Sequence, residues 1–220
     1  MDSQILRLSA GSLNSGSGDS VIGDASTPLG PGVSKYQGQL GRTIWVPPDQ
    51  VIYDSSIGTI YGGWFRYVKL RAADAANAII GHLAFADVTI TDWQKMYQVT
   101  QDEDLGASGV AGRFCAGVFI NTLGYGNYWL IQIGGVVPVK FRGTITPTPV
   151  VGSGVYAAAL DTGIGVTDNG VADVLAPSSS PVLVTDADLM RQRYLGTATV
   201  LPTNGGLTAV ALDLRDPFAG

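Results

Sequence analysis

Glycine and proline cut this chain into short apolar runs, and that punctuation limits its fold more than any other feature. There are 30 glycines and 11 prolines in 220 residues. Between them stand runs too short for stable helices and rich in β-branched and aromatic side chains, which suit a pleated surface. Arg42-Thr-Ile-Trp-Val46 is stopped by Pro47-Pro48. Gly58-Thr-Ile-Tyr-Gly62 is a weaker strand, Trp64-Phe-Arg-Tyr-Val-Lys-Leu-Arg71 a stronger one, and residues 79–90 return to strand character. Ala72 to Ala78 fits one helical turn or a loop. Thr91-Asp-Trp-Gln94 has the form of a helix capping box, while Lys95 to Thr100 fits helix or strand.

The clearest local pattern is at 127–142. Asn127-Tyr-Trp-Leu-Ile-Gln-Ile133 reads as a strand and Val136-Val-Pro-Val-Lys-Phe141 as its return. Gly134-Gly135 supplies the positive φ that a tight hairpin turn needs. Pro138 has no amide to donate, so its position faces an edge or a bulge. Further strands are expected at Gly154–Leu160, Ala172–Ala176, Gly196–Leu201 and Leu207–Leu214, the last two joined as a hairpin over Pro202–Gly206. One short helix is expected from Thr185-Asp-Ala-Asp188 to Gly196, with a Thr cap, acids in its first turn and Arg191 and Arg193 near its end. The expected class is mainly all-β: an antiparallel sandwich or barrel with an extended N-terminal arm and at most one or two short helices.

Residues 1–40 differ from the rest and form that arm; residues 41–220 form the β-rich domain. Serine and glycine dominate Ser9 to Gly23, and Thr27-Pro-Leu-Gly-Pro-Gly32 follows. Such a strip cannot offset its ordering entropy with a core of its own. Its apolar residues Ile5, Leu6, Leu8, Leu13, Val21, Ile22 and Leu29 are spaced as contacts to be laid on a neighbouring subunit. The alternative is a disordered leader without a role.

Composition narrows the function. Hydrophobic residues make up 45%, enough for a core, while charged residues are only 14%, against about a quarter in an ordinary domain. Part of the uncharged surface is therefore expected to meet other subunits. A net charge of -5 argues against nucleic acid, whose binding needs clustered cations. The basic groups Arg66, Lys69, Arg71 and Arg191, Arg193 read as a solvated strand face and a solvated helix. No apolar stretch has the length of a transmembrane helix, and the N-terminus lacks a basic region followed by a long apolar run, so no membrane role is expected. The single cysteine excludes an internal disulfide and suits a reducing compartment.

Catalytic patterns are missing. The one histidine, His82 in Ile80-Gly-His-Leu-Ala84, has no supporting acid or placed nucleophile nearby in sequence and reads as structural. Cys115 lies in the apolar run Phe114–Ile120 and reads as a small buried hydrophobe. There is no Gly-x-Ser-x-Gly elbow and no phosphate loop, and Gly163-Ile-Gly165 lacks the third glycine of a dinucleotide site. One cysteine and one histidine do not make an ordinary zinc site. Asp102-Glu-Asp104 and Asp186-Ala-Asp188 carry oxygen ligands without the spacing of a calcium loop, and read as a solvated turn and a helix cap. The expectation is no enzyme, no cofactor and no metal. Trp45, Tyr61, Trp64 and Trp129 have the chemistry to stack on sugars, with core packing or subunit contact as the ordinary use of most of them.

A family resemblance rests on several of these segments: Phe65-Arg-Tyr-Val-Lys69, Tyr97-Gln-Val-Thr100, Ala116-Gly-Val-Phe119, Gly124-Tyr-Gly-Asn-Tyr-Trp-Leu-Ile-Gln-Ile-Gly134 and Leu195-Gly-Thr-Ala198. In this order they resemble small head proteins of tailed bacteriophages, of the capsid decoration or cement kind. The resemblance spans residues 60–215 and leaves out the arm. It implies a structural virion protein that binds the outside of an icosahedral shell and braces neighbouring capsomers. Its partners would be the major capsid protein and copies of itself, as a trimer on a symmetry axis. Its place would be the capsid surface of a virion assembled in the host cytoplasm. Rival readings are a glycan-binding or adhesion module of a head or tail fibre, another tail or connector component, and a hydrolase with an unrecognised carboxylate pair.

Overall fold

The computed structural model describes residues 40–47, 52–54, 58–60, 62–71, 77–87, 97–101, 115–120, 128–145, 148–158, 170–174 and 194–214. They contain twelve strands and no helix. In chain order these are β1 (Thr43–Val46), β2 (Ile52–Asp54), β3 (Gly58–Ile60), β4 (Gly63–Leu70), β5 (Leu83–Ala86) and β6 (Gln98–Thr100). Then follow β7 (Cys115–Phe119), β8 (Tyr128–Lys140), β9 (Gly154–Ala157), β10 (Ala172–Val174), β11 (Tyr194–Ala198) and β12 (Leu207–Asp213). The all-β class expected from the punctuation is the class observed, and every pairing between strands but one is antiparallel, β4 with β6 being the exception.

The pairing closes on itself twice. β4 pairs with β6, β6 with β5, β5 with β7, β7 with β8, and β8 again with β4, so five strands make a ring. Beyond Gly134 the same strand β8 pairs with β12, which is followed outward by β11, β9 and β10. This second ring returns to β8 through a parallel bridge from Phe141 to Ala172 and the bond from Arg142 N to Ala172 O, 3.0 Å. Closure of this kind removes sheet edges, which are otherwise templates for unwanted pairing. β1 adds to β4 outside the first ring, and β2 and β3 form a separate hairpin.

One hydrophobic core runs through both rings, from Phe65, Val68 and Leu70 on β4 to Val155 on β9, Leu195 on β11 and Val210 on β12. Phe65, Phe85, Phe119 and Phe141 are wholly buried in it.

Three expectations are corrected. Gly134-Gly135 is not a hairpin turn: β8 runs unbroken through both glycines. Gly63 and Gly135 sit where β4 and β8 come too close for side chains, while Gly134 itself has room for one. A Cβ on Gly63 would stand 2.2 Å from Gly134 O, and one on Gly135, where φ is +94, would stand 2.7 Å from Gly62 O. The register also slips between Trp64 and Phe65, leaving Ile133 as an extra residue on β8. A glycine pair inside a strand thus marks a bulge and a close backbone approach as well as it marks a turn. Secondly, the helix expected to end at Gly196 does not reach it, because Tyr194–Ala198 is strand β11; residues 175–193 lie outside the described residues. Thirdly, Arg66 is not on a solvated face. It is buried, with its guanidinium 6.0 Å from the Tyr97 ring centre, and Arg71 Nε pairs with Asp87 Oδ2 at 3.2 Å. The arm residues Ile5 to Leu29 lie outside the described residues. The hairpin of β11 and β12 stands where it was expected, and Pro138 lies opposite Ala209 on β8, beyond the reach of β4.

Candidate functional site

Cross-strand register brings four residues of four neighbouring strands into one row. Trp45 on β1 is opposite Trp64 on β4; Trp64 is opposite Gly134 on β8; Gly134 is opposite Asp213 on β12. Residues directly opposite each other point to the same face of a sheet. Trp45 is 49% exposed and Trp64 50%, high values for the largest side chain in a protein, and Asp213 is exposed as well. Gly134, between Trp64 and Asp213, has no side chain of its own, and the Cδ1 edge of the Trp64 indole lies beside it. A Cβ there would make ordinary contact with Trp64 Cδ1 at 3.4 Å, and the further branches of a residue larger than alanine would press on the flank of the indole.

The row is held from below. Gln132, fully buried, donates from Nε2 to Gly134 O (3.2 Å) and to Val136 O (3.3 Å). These bonds occupy two carbonyls beside the bulge and fix the path of β8 under the tryptophans. Exposed Thr43 lies two residues from Trp45 on the same face of β1. The arrangement sets two half-exposed indoles on adjacent strands of one face, with Thr43 and Asp213 exposed on the same face.

A second apolar exposure lies elsewhere. Val150 and Val151 (62% and 63% exposed) and Val200 and Leu201 (50% and 56%) occupy the turns that lead into β9 and out of β11. Gly152 N bonds Ala198 O at 2.9 Å, so the two turns are neighbours at one tip of the second ring. That tip adjoins the Leu207 end of β12, and Asp213 is at the other end, about 20 Å away at 3.4 Å per residue.

His82 and Cys115, read from the sequence as a structural histidine and a small buried hydrophobe, are not together. His82 O accepts from Phe119 N at one end of the β5–β7 pair, while Cys115 is opposite Phe85 at the other, about 10 Å along the strand. His82 is buried, and its Nδ1 accepts from Gln101 Nε2 at 3.1 Å, an assignment fixed by Gln101 Oε1 accepting from Ile79 N at 2.7 Å. The same loop ties the rings together: Gly81 N bonds Phe119 O, Lys140 N bonds Gly81 O, and Leu83 N bonds Gly170 O just before β10. Burial pushes the Cys115 thiol up to about 12, against a weaker lowering by the backbone of Gly117. A thiol of that kind carries no thiolate at neutral pH and is not a nucleophile.

Among the described residues, no group of three or more His, Cys, Asp or Glu is placed to hold a metal ion, and no helix is long and apolar enough to cross a membrane. Asp102-Glu-Asp104, Asp186, Asp188, Arg191, Arg193, Tyr61 and the side chain of Trp129 lie outside the described residues. Of the four aromatics proposed for stacking, Trp45 and Trp64 are brought together. Gly134, Gln132 and Asp213 escaped the sequence reading. The available signals were a glycine pair within a long apolar run and a lone acid at the end of another.

No protein-family model matches the sequence, and no curated protein matches it. Among solved structures it is similar to the N-terminal base of the head fibre protein gp8.5 of bacteriophage phi29. The identity is 10%, covering 68% of this chain and 92% of that one, with a TM-score of 0.37.

Proposed function

We propose that this chain is a structural protein of the exterior of a bacteriophage virion, acting by attachment and not by catalysis. The observation that carries the reading is the placement of exposed apolar side chains. Among the described residues, all but Ile79 gather at two separated points of a doubly closed β body, the Trp45–Trp64 pair and the aliphatic tip at Val150, Val151, Val200 and Leu201. A body with two distinct contact points suits a protein that holds to the particle at one and meets something else at the other. The phage setting comes from the segment resemblance, and the low charge and the Gly/Ser-rich arm fit it.

Two forms of attachment follow. As an adhesion module of a head or tail fibre, the chain would present its aromatic pair outward. As a capsid-bracing protein it would seat the aliphatic tip, and residues 1–40 with it, on the major capsid protein or on further copies of itself. The exposed tryptophan pair favours the adhesion form, because two aromatic side chains set apart from the aliphatic tip suit a small ligand better than a broad subunit contact. The test is to purify virions through a density gradient and probe them with an antibody to the chain, by immunoblot and by labelled electron microscopy. Copurification with label on the particle surface is expected. A chain left wholly in the soluble fraction would overturn the proposal.

A further inference from the structure

We infer that the row Trp45, Trp64, Gly134 and Asp213 is a binding site for a neutral pyranose sugar. The inference deepens the adhesion form of the function proposed above and rests on it.

The physical case starts from the shape of the site. Trp45 and Trp64 are opposite one another on adjacent antiparallel strands, so their indoles stand side by side on one sheet face. Such a pair makes a floor and not a cage. A floor matches a flat ring that lies down on it. The C–H face of a pyranose carries slight positive charge, and the face of an aromatic ring is negative, so the two attract while both shed water. Gly134 then matters for what it lacks. Two strand spacings of about 4.8 Å separate β4 from β12, leaving a gap of about 10 Å between the Trp64 and Asp213 backbones. Only a hydrogen atom rises from Gly134 in that gap. A sugar on Trp64 can therefore extend across β8, and Asp213 can accept hydrogen bonds from its hydroxyls. Bonds to a charged acceptor are the strong kind in such a site.

The size of the platform argues against a protein on this face. Two half-exposed tryptophans offer about 250 Å² together. A stable protein interface needs about 800 Å² from each partner. Among the described residues, the other large exposed hydrophobics are elsewhere, four at the far tip by the other end of β12 and Ile79 on the loop before β5. A quaternary ammonium group also likes indole and carboxylate, but it is held by rings on several sides, and this site has them on one. An anionic sugar is disfavoured by Asp213.

The experiment uses the full chain and three neutral probes: oligomers of glucose in β-1,4 linkage, of glucose in α-1,4 linkage, and of N-acetylglucosamine. Binding is followed by calorimetry and by intrinsic tryptophan fluorescence. At least one probe should bind with a dissociation constant of about 0.1–1 mM, as expected of a small open site. Trp64→Ala should weaken it by about tenfold or more, since a central tryptophan carries a large share of contact energy. Asp213→Asn, an exposed change that leaves the core untouched, should weaken it by about threefold to tenfold. Gly134→Val should abolish binding while both tryptophans remain. Circular dichroism and the melting temperature of each variant should match the parent. Should Trp64→Ala fail to fold, Asp213→Asn and Gly134→Val decide the matter. No binding of any neutral probe overturns the site, as does binding that Asp213→Asn and Gly134→Val leave unchanged. Equal or tighter binding of tetramethylammonium also overturns it. Virion copurification is read separately, so a chain that copurifies but binds no sugar loses this site and keeps its place on the particle.

Discussion

The two rings share β8 and one core, yet they close by different means. In the first, β4 and β8 pair from Gly63 to Lys69, so the last seam is a backbone ladder like the others. In the second, the last seam is one bridge between Phe141 and Ala172, one backbone bond from Arg142, and one ion pair, Arg142 Nη1 to Asp173 Oδ2 at 3.1 Å. Asp173 is buried there and also accepts from Val174 N at 2.8 Å. A ladder spreads its strength over many backbone groups that have no other partner. A seam of one bridge and one ion pair concentrates it in two side chains, and a buried carboxylate that loses its partner is costly. The first ring should therefore define global stability, and the second should open below it.

The largest effect should come from the core next to the first seam. Phe65→Ala should cost about 3–5 kcal/mol, seen as a fall in the denaturant midpoint with all probes moving together. If only part of the signal moved, the rings would be independent and the shared core would not couple them. Arg142→Ala, which strands the buried Asp173 carboxylate, should cost about 2–3 kcal/mol, and hydrogen exchange should localise it: amides of β9 and β10 speed up while those of β4 and β7 hold. Equal acceleration in both rings would mean that the two seams are equally strong. His82→Ala removes the bond to Gln101 within the loop between the rings and should cost about 1 kcal/mol. Its signature is a broader unfolding transition, as coupling between the rings weakens.

The smallest effect at neutral pH belongs to Cys115. The fold raises its pKa from 9.0 to about 12, so the neutral thiol is favoured. That contribution is fully present below pH 9 and is lost as pH rises toward 12. Parent and Cys115→Ala should therefore differ by a constant amount up to about pH 9, and the gap should close above it. Iodoacetamide should label Cys115 only after unfolding; rapid labelling of the folded chain would contradict its burial in the first ring.

Much of this architecture was legible beforehand, for a physical reason. Strands such as Trp64–Arg71 and Leu207–Leu214 carry their β character in their own side chains, and the closing hairpin is local. Closure of the rings was not legible. It depends on β4 meeting β8, and on Ala172 meeting Phe141, and no residue advertises such distant partners. Gly134-Gly135 misled because the same two residues satisfy a turn and a bulge, and only the strand opposite decides between them. The aromatic pair was half legible. Trp45 and Trp64 stood out by type, but their alignment with each other and with Asp213 is a matter of register. Arg66 looked solvated because sequence shows its charge and not the Tyr97 ring above it.

The shared strand also sets an order of events when the chain is made. Translation delivers β4, β5, β6, β7 and β8 in succession, so the first ring can be complete while later residues are still to come. The far half of β8 cannot be satisfied then, because its neighbour β12 arrives only after β9, β10 and β11. Until that moment the nascent chain carries a bare, apolar length of strand from Val136 to Val139, a natural template for another molecule's edge. Pairings this distant form slowly, on the scale of milliseconds to seconds in β proteins, and the delay is a window for misassembly. Pro138 sits inside that length, and a residue with no amide to offer is a poor start for a foreign ladder.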